Sequence, residues 1–177
     1  YRFRSTACSQ TQPYAMVPTM LSQTPILPPT ILIVEDSPDD AMVIELTFRR
    51  AGISNPLVFV EDGAMAVDYL LGRQRYQDRD RWPVPVLVIL DLNLPKLDGF
   101  QVLERTHQLR ADYEVETVVL SVSDGESDRE RVAALGVKKM LQKPIEPTSL
   151  MGLISEFEAF SLLIIPRRLE DEPVGFD

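Results

Sequence analysis

The chain has 177 residues, enough for one domain of ordinary size with tails, and its 45% hydrophobic and 25% charged residues suit a globular protein. A formal net charge of −9 argues against a sequence-independent nucleic-acid binder, and no apolar run approaches the roughly 18 residues that cross a bilayer. A single cysteine, Cys8, excludes an intrachain disulfide framework and points to a reducing, cytoplasmic setting.

Residues 1–29 are rich in Ser, Thr, Gln and Pro, keep no period of 2 or 3.6, and are expected to form a flexible arm. Their two arginines are balanced by the acidic excess of residues 161–177, so residues 30–160 carry the negative charge and are taken as the domain. The run Ile31–Val34 reads as a buried strand that stops on Glu35 and Asp36. Ser37-Pro38-Asp39-Asp40 then reads as a helix start, with a capping hydroxyl, a proline in the first turn and acids at the positive end of the dipole. Ile44, Phe48 and Ala51 supply its apolar stripe and Gly52 its stop.

The alternation repeats. Leu57–Val60 is predicted as the second strand and Ala64–Leu71, stopped by Gly72, as the second helix. Residues 73–85 read as a long polar connection punctuated by Pro83 and Pro85. Val86–Leu90 and Phe100–Arg110 form the third strand and helix, Thr117–Leu120 and Asp124–Leu135 the fourth pair. Val137–Gln142 is the fifth strand, and the last helix runs from about Pro147 to Phe160 with Leu150, Leu153, Ile154 and Phe157 on one face. Five such units predict an α/β fold, a doubly wound five-stranded parallel sheet with helices on both faces; runs as uniformly apolar as VLVIL need cover on both sides.

In such sheets, chemistry collects at the carboxyl ends of the strands. Here those ends deliver Glu35 and Asp36, then Asp91, Ser121 and Lys143. Three converging acids repel one another and invite a divalent cation; with oxygen ligands alone, Mg²⁺ is the natural choice, whereas Zn²⁺ would usually want His or Cys. Each residue also has a plainer reading. Asp91 can initiate a turn, Glu35 and Asp36 can be helix-start acids, Ser121 can satisfy local backbone, and Lys143 can be a solvated lysine before a proline. The only histidine, His107, reads as a solvated helix residue, and Arg129 and Arg131 as a solvated face.

Four segments, ILIVEDSPDD at 31–40, VILDLNLPKLDGF at 88–100, VVLSVS at 118–123 and LQKP at 141–144, occur in order over roughly residues 30–160. Together they resemble the receiver domains of two-component response regulators, and in wording they look most like stand-alone regulators of the cyanobacterial phytochrome type. The resemblance implies a flavodoxin-like, CheY-like (βα)5 fold in which Asp91 accepts a phosphoryl group from a phosphohistidine. It implies Mg²⁺ held by Glu35, Asp36, Asp91 and the backbone carbonyl of Asn93, with Lys143 and Ser121 contacting phosphoryl oxygens. It places a usually cis peptide bond at Lys143-Pro144. Two positions depart from the family pattern: Met140 stands where many receivers carry Tyr or Phe, and Val122 where many have a smaller residue.

The expected protein is a single-domain phosphorylation switch rather than an enzyme, one that assists its own Mg²⁺-dependent phosphorylation and dephosphorylation. Its partners would be a sensor histidine kinase of phytochrome-like type and a downstream protein, met through the fourth helix, fifth strand and fifth helix. The apolar run Leu162–Ile165 in the tail 161–177 suggests a homodimer contact. Among rivals, a phosphatase of the haloacid dehalogenase type needs a second Asp two residues after the nucleophile, where this chain has Asn93. The alternative is an interaction module that works without phosphorylation: the complete acid–Asp–Ser–Lys set argues against it, and Met140 at the usual aromatic position argues for it.

Overall fold

The computed structural model describes residues 29–123 and 125–156. The arm, the end of the last helix and Leu162–Ile165 lie outside the described residues. Within them, strands β1 (Ile31–Val34), β2 (Leu57–Val60), β3 (Leu87–Asp91), β4 (Glu116–Ser121) and β5 (Lys139–Gln142) alternate with helices α1 (Pro38–Arg50), α2 (Gly63–Leu70), α3 (Gly99–Asp112), α4 (Glu126–Ala134) and α5 (Pro147–Ser155). The strands form one parallel sheet in the order β2-β1-β3-β4-β5, with Ile31 opposite Leu57 on one side and Leu87 on the other.

Strand alternation divides the core into two layers. Leu32, Val34, Val88 and Leu90 face α2, α3 and α4 through Ala66, Leu70, Val102, Leu103 and Val132. Ile31, Ile33, Leu87 and Ile89 face α1 and α5 through Ile44, Phe48, Leu150 and Leu153. Both faces of the central strands are thus dry, which is why they read as unbroken apolar runs. The strand order reverses between β1 and β3, and the crevice beyond their carboxyl ends is where such folds place ligands.

Local chemistry sets most boundaries as expected. Ser37 caps α1 by accepting from the Asp40 N–H at 3.3 Å, and Gly52 follows the helix at φ 77°. Asp98 and Gln101 form a reciprocal capping box on α3. Several boundaries differ by a residue or two. β3 starts at Leu87 and includes Asp91 itself, α4 starts at Glu126 after Gly125, and β5 starts at Lys139. Val137 belongs instead to the close of α4, its N–H donating to the Val132 carbonyl at 3.2 Å.

The segment 73–85 differs most. It is polar in composition yet holds a 3₁₀ turn (Gln74–Tyr76) and a ring cluster: Tyr76 and Trp82 meet each other at 5.3 Å and Tyr69 of α2 at 5.1 and 6.2 Å, all edge-on. Burial pushes the Tyr69 hydroxyl up to about 12, and it donates to the Pro83 carbonyl. Arg79 reaches back over the end of α2 and donates to the carbonyls of Tyr69 (2.9 Å), Leu70 (2.6 Å) and Trp82 (3.1 Å). Arg79→Ala is therefore expected to destabilise the fold by about 1–3 kcal/mol through orphaned carbonyls, read as a lower urea midpoint at unchanged slope.

Candidate functional site

β1 leads directly into Glu35, buried, and Asp36, exposed; the Ser37 N–H donates to Glu35 Oε1 at 3.2 Å, so the cap of α1 also fixes the acid. On the next strand Asp91 is buried at the end of β3, and the Asn93 N–H donates to its Oδ1 at 2.9 Å. Ser121, the last residue of β4, is buried; its Oγ accepts from the Ser123 N–H at 3.1 Å, which leaves the hydroxyl hydrogen for another acceptor. Lys143 follows β5 directly. Its N–H donates to the Ser121 carbonyl at 2.8 Å, and the Lys143–Pro144 peptide bond is cis.

The Lys143 ammonium joins the strands. It lies 2.6 Å from Asp91 Oδ2, 2.9 and 2.7 Å from Glu35 Oε1 and Oε2, and 2.9 Å from Asp40 Oδ2. Burial alone would lower the Lys143 pKa, but hydrogen bonds to Asp91, Glu35 and Asp40 overturn that and raise it, so the side chain stays charged. Burial raises the Glu35 pKa above 4.5, helped by the Asp91 charge and opposed by Lys143.

A divalent cation fits this corner. One oxygen each of Glu35, Asp36 and Asp91 come within 4.8 Å of one another. Glu35 Oε2 is buried and, although close to the ammonium, has no aligned hydrogen-bond donor. A vacant carboxylate lone pair in an all-oxygen set is what a hard cation takes.

The structure thus brings together Glu35, Asp36, Asp91, Asn93, Ser121 and Lys143, all predicted from sequence. His107 is exposed on α3, away from this cluster. Arg129 and Arg131 are exposed; Arg131 also stacks over the Phe100 ring at 3.9 Å and pairs with Glu104 at 3.3 Å. Met140 is half-buried on β5 opposite Val119, and Val122 is 61% exposed just past Ser121.

Two further residues were legible only as local signals. Asp40 reads as a dipole acid but touches Lys143. Gly99, one residue before the helix start predicted at Phe100, opens α3 in the structure, and a Cβ there would lie 2.5 Å from the Asp91 carbonyl oxygen and 2.7 Å from the Leu92 Cα. The same loop is tied down by Lys96, whose ammonium meets Asp62 Oδ2 at 2.6 Å. Burial works against the ionised Asp62 carboxyl, but Lys96 and the Met65 N–H hold its pKa below 3.8.

Comparison with known proteins places this arrangement. Residues 31–155 match the family model described as the response regulator receiver domain. The chain is 35% identical over 135 residues to the probable methanogenesis regulatory protein FilR2 of Methanothrix harundinacea, covering 75% of this chain and 83% of that protein. It is 33% identical to the response regulator Rcp1 of Synechocystis, covering 76% and 90%. The Mn²⁺-bound structure of Rcp1 superposes with a TM-score of 0.61 at 31% identity, covering 79% of this chain and 100% of that one. The phosphorylated cyanobacterial phytochrome response regulator RcpA gives 0.60 at 30% identity, covering 75% and 93%. The protein belongs to the response regulator receiver domain family, the CheY-like signalling modules of two-component systems.

Proposed function

We propose that this receiver accepts a phosphoryl group on Asp91 from a phosphohistidine of a sensor histidine kinase and passes the signal on by protein contact. The observation that carries the reading is the Asp91 carboxylate itself, buried at a strand end yet bonded by Lys143 on one oxygen and by the Asn93 N–H on the other. In the reaction, an Asp91 oxygen attacks phosphorus as the bond to the donor nitrogen breaks in line. Lys143 turns its ammonium to the phosphoryl oxygens, and the Ser121 hydroxyl, on the neighbouring strand, donates to another. Glu35, Asp36, Asp91 and the Asn93 carbonyl would hold Mg²⁺, which when bound would neutralise charge on the moving group.

Adding about −1.5 to −2 charge at pH 7 then biases Ser121 and the loop beyond it. The output face would be α4, β5 and α5, with Met140 rather than an aromatic ring reporting the change on β5. Likeness to a phytochrome response regulator supports a phytochrome-like kinase as partner. The reading also keeps the domain at residues 30–160, a cytoplasmic setting, and the segment Leu162–Ile165 as a homodimer contact.

Labelling with acetyl phosphate tests the metal requirement. The expected result is one base-labile acyl phosphate per chain with Mg²⁺ and none with EDTA. Equal labelling in both would contradict the reading.

A further inference from the structure

The open edge of the sheet carries a groove that phosphoryl transfer does not use. β2 pairs with β1 alone, so the far side of Leu57–Val60 has no strand beside it. There Leu57, Val58 and Phe59 join Tyr76 and Trp82 of the 73–85 segment in lining a groove of about 530 Å³, with Phe59 left 39% exposed. Arg75 lies over the Tyr76 ring at 4.8 Å and Arg81 over the Trp82 ring at 5.2 Å. Both line the groove, no carboxylate does, and neither makes an ion pair among the described residues. Two arginines stacked on rings and lacking an anion, on a chain of net charge −9, suit an occupant that is part acidic and part apolar.

We propose that this occupant is the chain's own segment Leu169–Asp177, laid extended along the edge of β2. The segment holds four acids and no base. Alternate residues of an extended chain share a face. One face would present Glu170 and Glu172, then Val174 and Phe176: two carboxylates for Arg75 and Arg81, and two apolar side chains for Phe59 and the Trp82 ring. The opposite face would turn Asp171 and Asp177 to water, and Pro173 is tolerated on an edge strand. Residues 1–28, with two arginines and no acid, have the wrong charge for the groove. The twelve residues 157–168 can span up to about 40 Å, ample for a domain whose radius of gyration is about 14 Å. Docked there, the segment covers a sheet edge that would otherwise stand open to other chains.

Trp82 is the single tryptophan, so the fluorescence of the full chain reports on this groove. Glu170→Gln/Glu172→Gln is expected to weaken docking about two- to thirtyfold, the span for two exposed ion pairs. The acrylamide quenching constant of Trp82 should rise and its emission shift to the red. Asp171→Asn/Asp177→Asn removes the same charge from the opposite face and should leave both signals as in the parent. In a chain that also carries Arg75→Gln/Arg81→Gln, the glutamine pair should add no further change, because the two pairs of substitutions act on one contact. Unchanged Trp82 signals in Glu170→Gln/Glu172→Gln would overturn the proposal, and so would an equal change in Asp171→Asn/Asp177→Asn, which would mark a general effect of charge. Shielding of Trp82 in the parent that is lost on dilution would also overturn it, by assigning the groove to the tail of a second copy.

Discussion

Lys143→Ala is expected to destabilise the metal-free protein by about 3–5 kcal/mol at neutral pH, the range for removing one partner of a buried ion pair. The loss comes less from the vanished attraction than from what stays behind. Glu35 and Asp91 remain buried, and Asp36 and Asp40 stand beside them with no cation to offset the repulsion. Millimolar Mg²⁺ should restore much of the stability, because a cation that binds only the folded site adds its binding free energy to folding. The pH dependence has a fixed sign. Glu35 is already held above 4.5 by burial, so its protonated form favours the fold. That contribution is complete below the unfolded value and is lost as pH rises through the folded one. Without Lys143 the upward shift grows, so the deficit of the variant should be smallest in acid and widen toward neutrality. Urea melts of both proteins, with and without Mg²⁺ across that range, check it; a variant as stable as the parent at neutral pH without metal would contradict it.

Gly99→Val is expected to have the next largest effect, at or above about 3 kcal/mol, the upper end for overpacking. The reason is backbone, not side chain. A Cβ at 2.5 Å from the Asp91 carbonyl oxygen and 2.7 Å from the Leu92 Cα cannot be relieved by a rotamer change. The Gly99 N–H also donates to the Leu92 carbonyl at 2.9 Å, so the start of α3 and the end of β3 are clamped together. Whatever part of the chain still folds would have to shift Asp91, and Mg²⁺ affinity should fall along with thermal stability. A variant that loses stability but binds Mg²⁺ as before would mean that the clamp supports the fold without positioning the acid.

Both predictions concern residues that the sequence reveals to different degrees. Glu35, Asp36, Asp91, Ser121 and Lys143 are legible because each lies at or just past the end of a strand, and parallel strands bring their carboxyl ends to one edge whatever the details. The central strands are legible for the same reason that they are stable, being dry on both faces. Gly99 and Asp40 are not legible as site residues. Each satisfies a local rule, a helix start and a dipole acid, and its second role depends on a contact made across the fold. The segment 73–85 hides its core because Tyr69, Tyr76 and Trp82 converge through a turn without any helical or strand period. The start of β5 was displaced because Val137 is apolar and β-branched like a strand residue, yet its N–H closes α4.

Assignment of the acceptor to Asp91, the acid that closes an apolar strand, is the proposal on which the rest depends. It is tested most directly by acetyl phosphate labelling, with Mg²⁺, of the chain carrying Asp91→Asn. The amide keeps the shape and removes the nucleophile. The acyl phosphate is expected to disappear while the variant remains folded by circular dichroism. Labelling undiminished from that of the parent chain would contradict it.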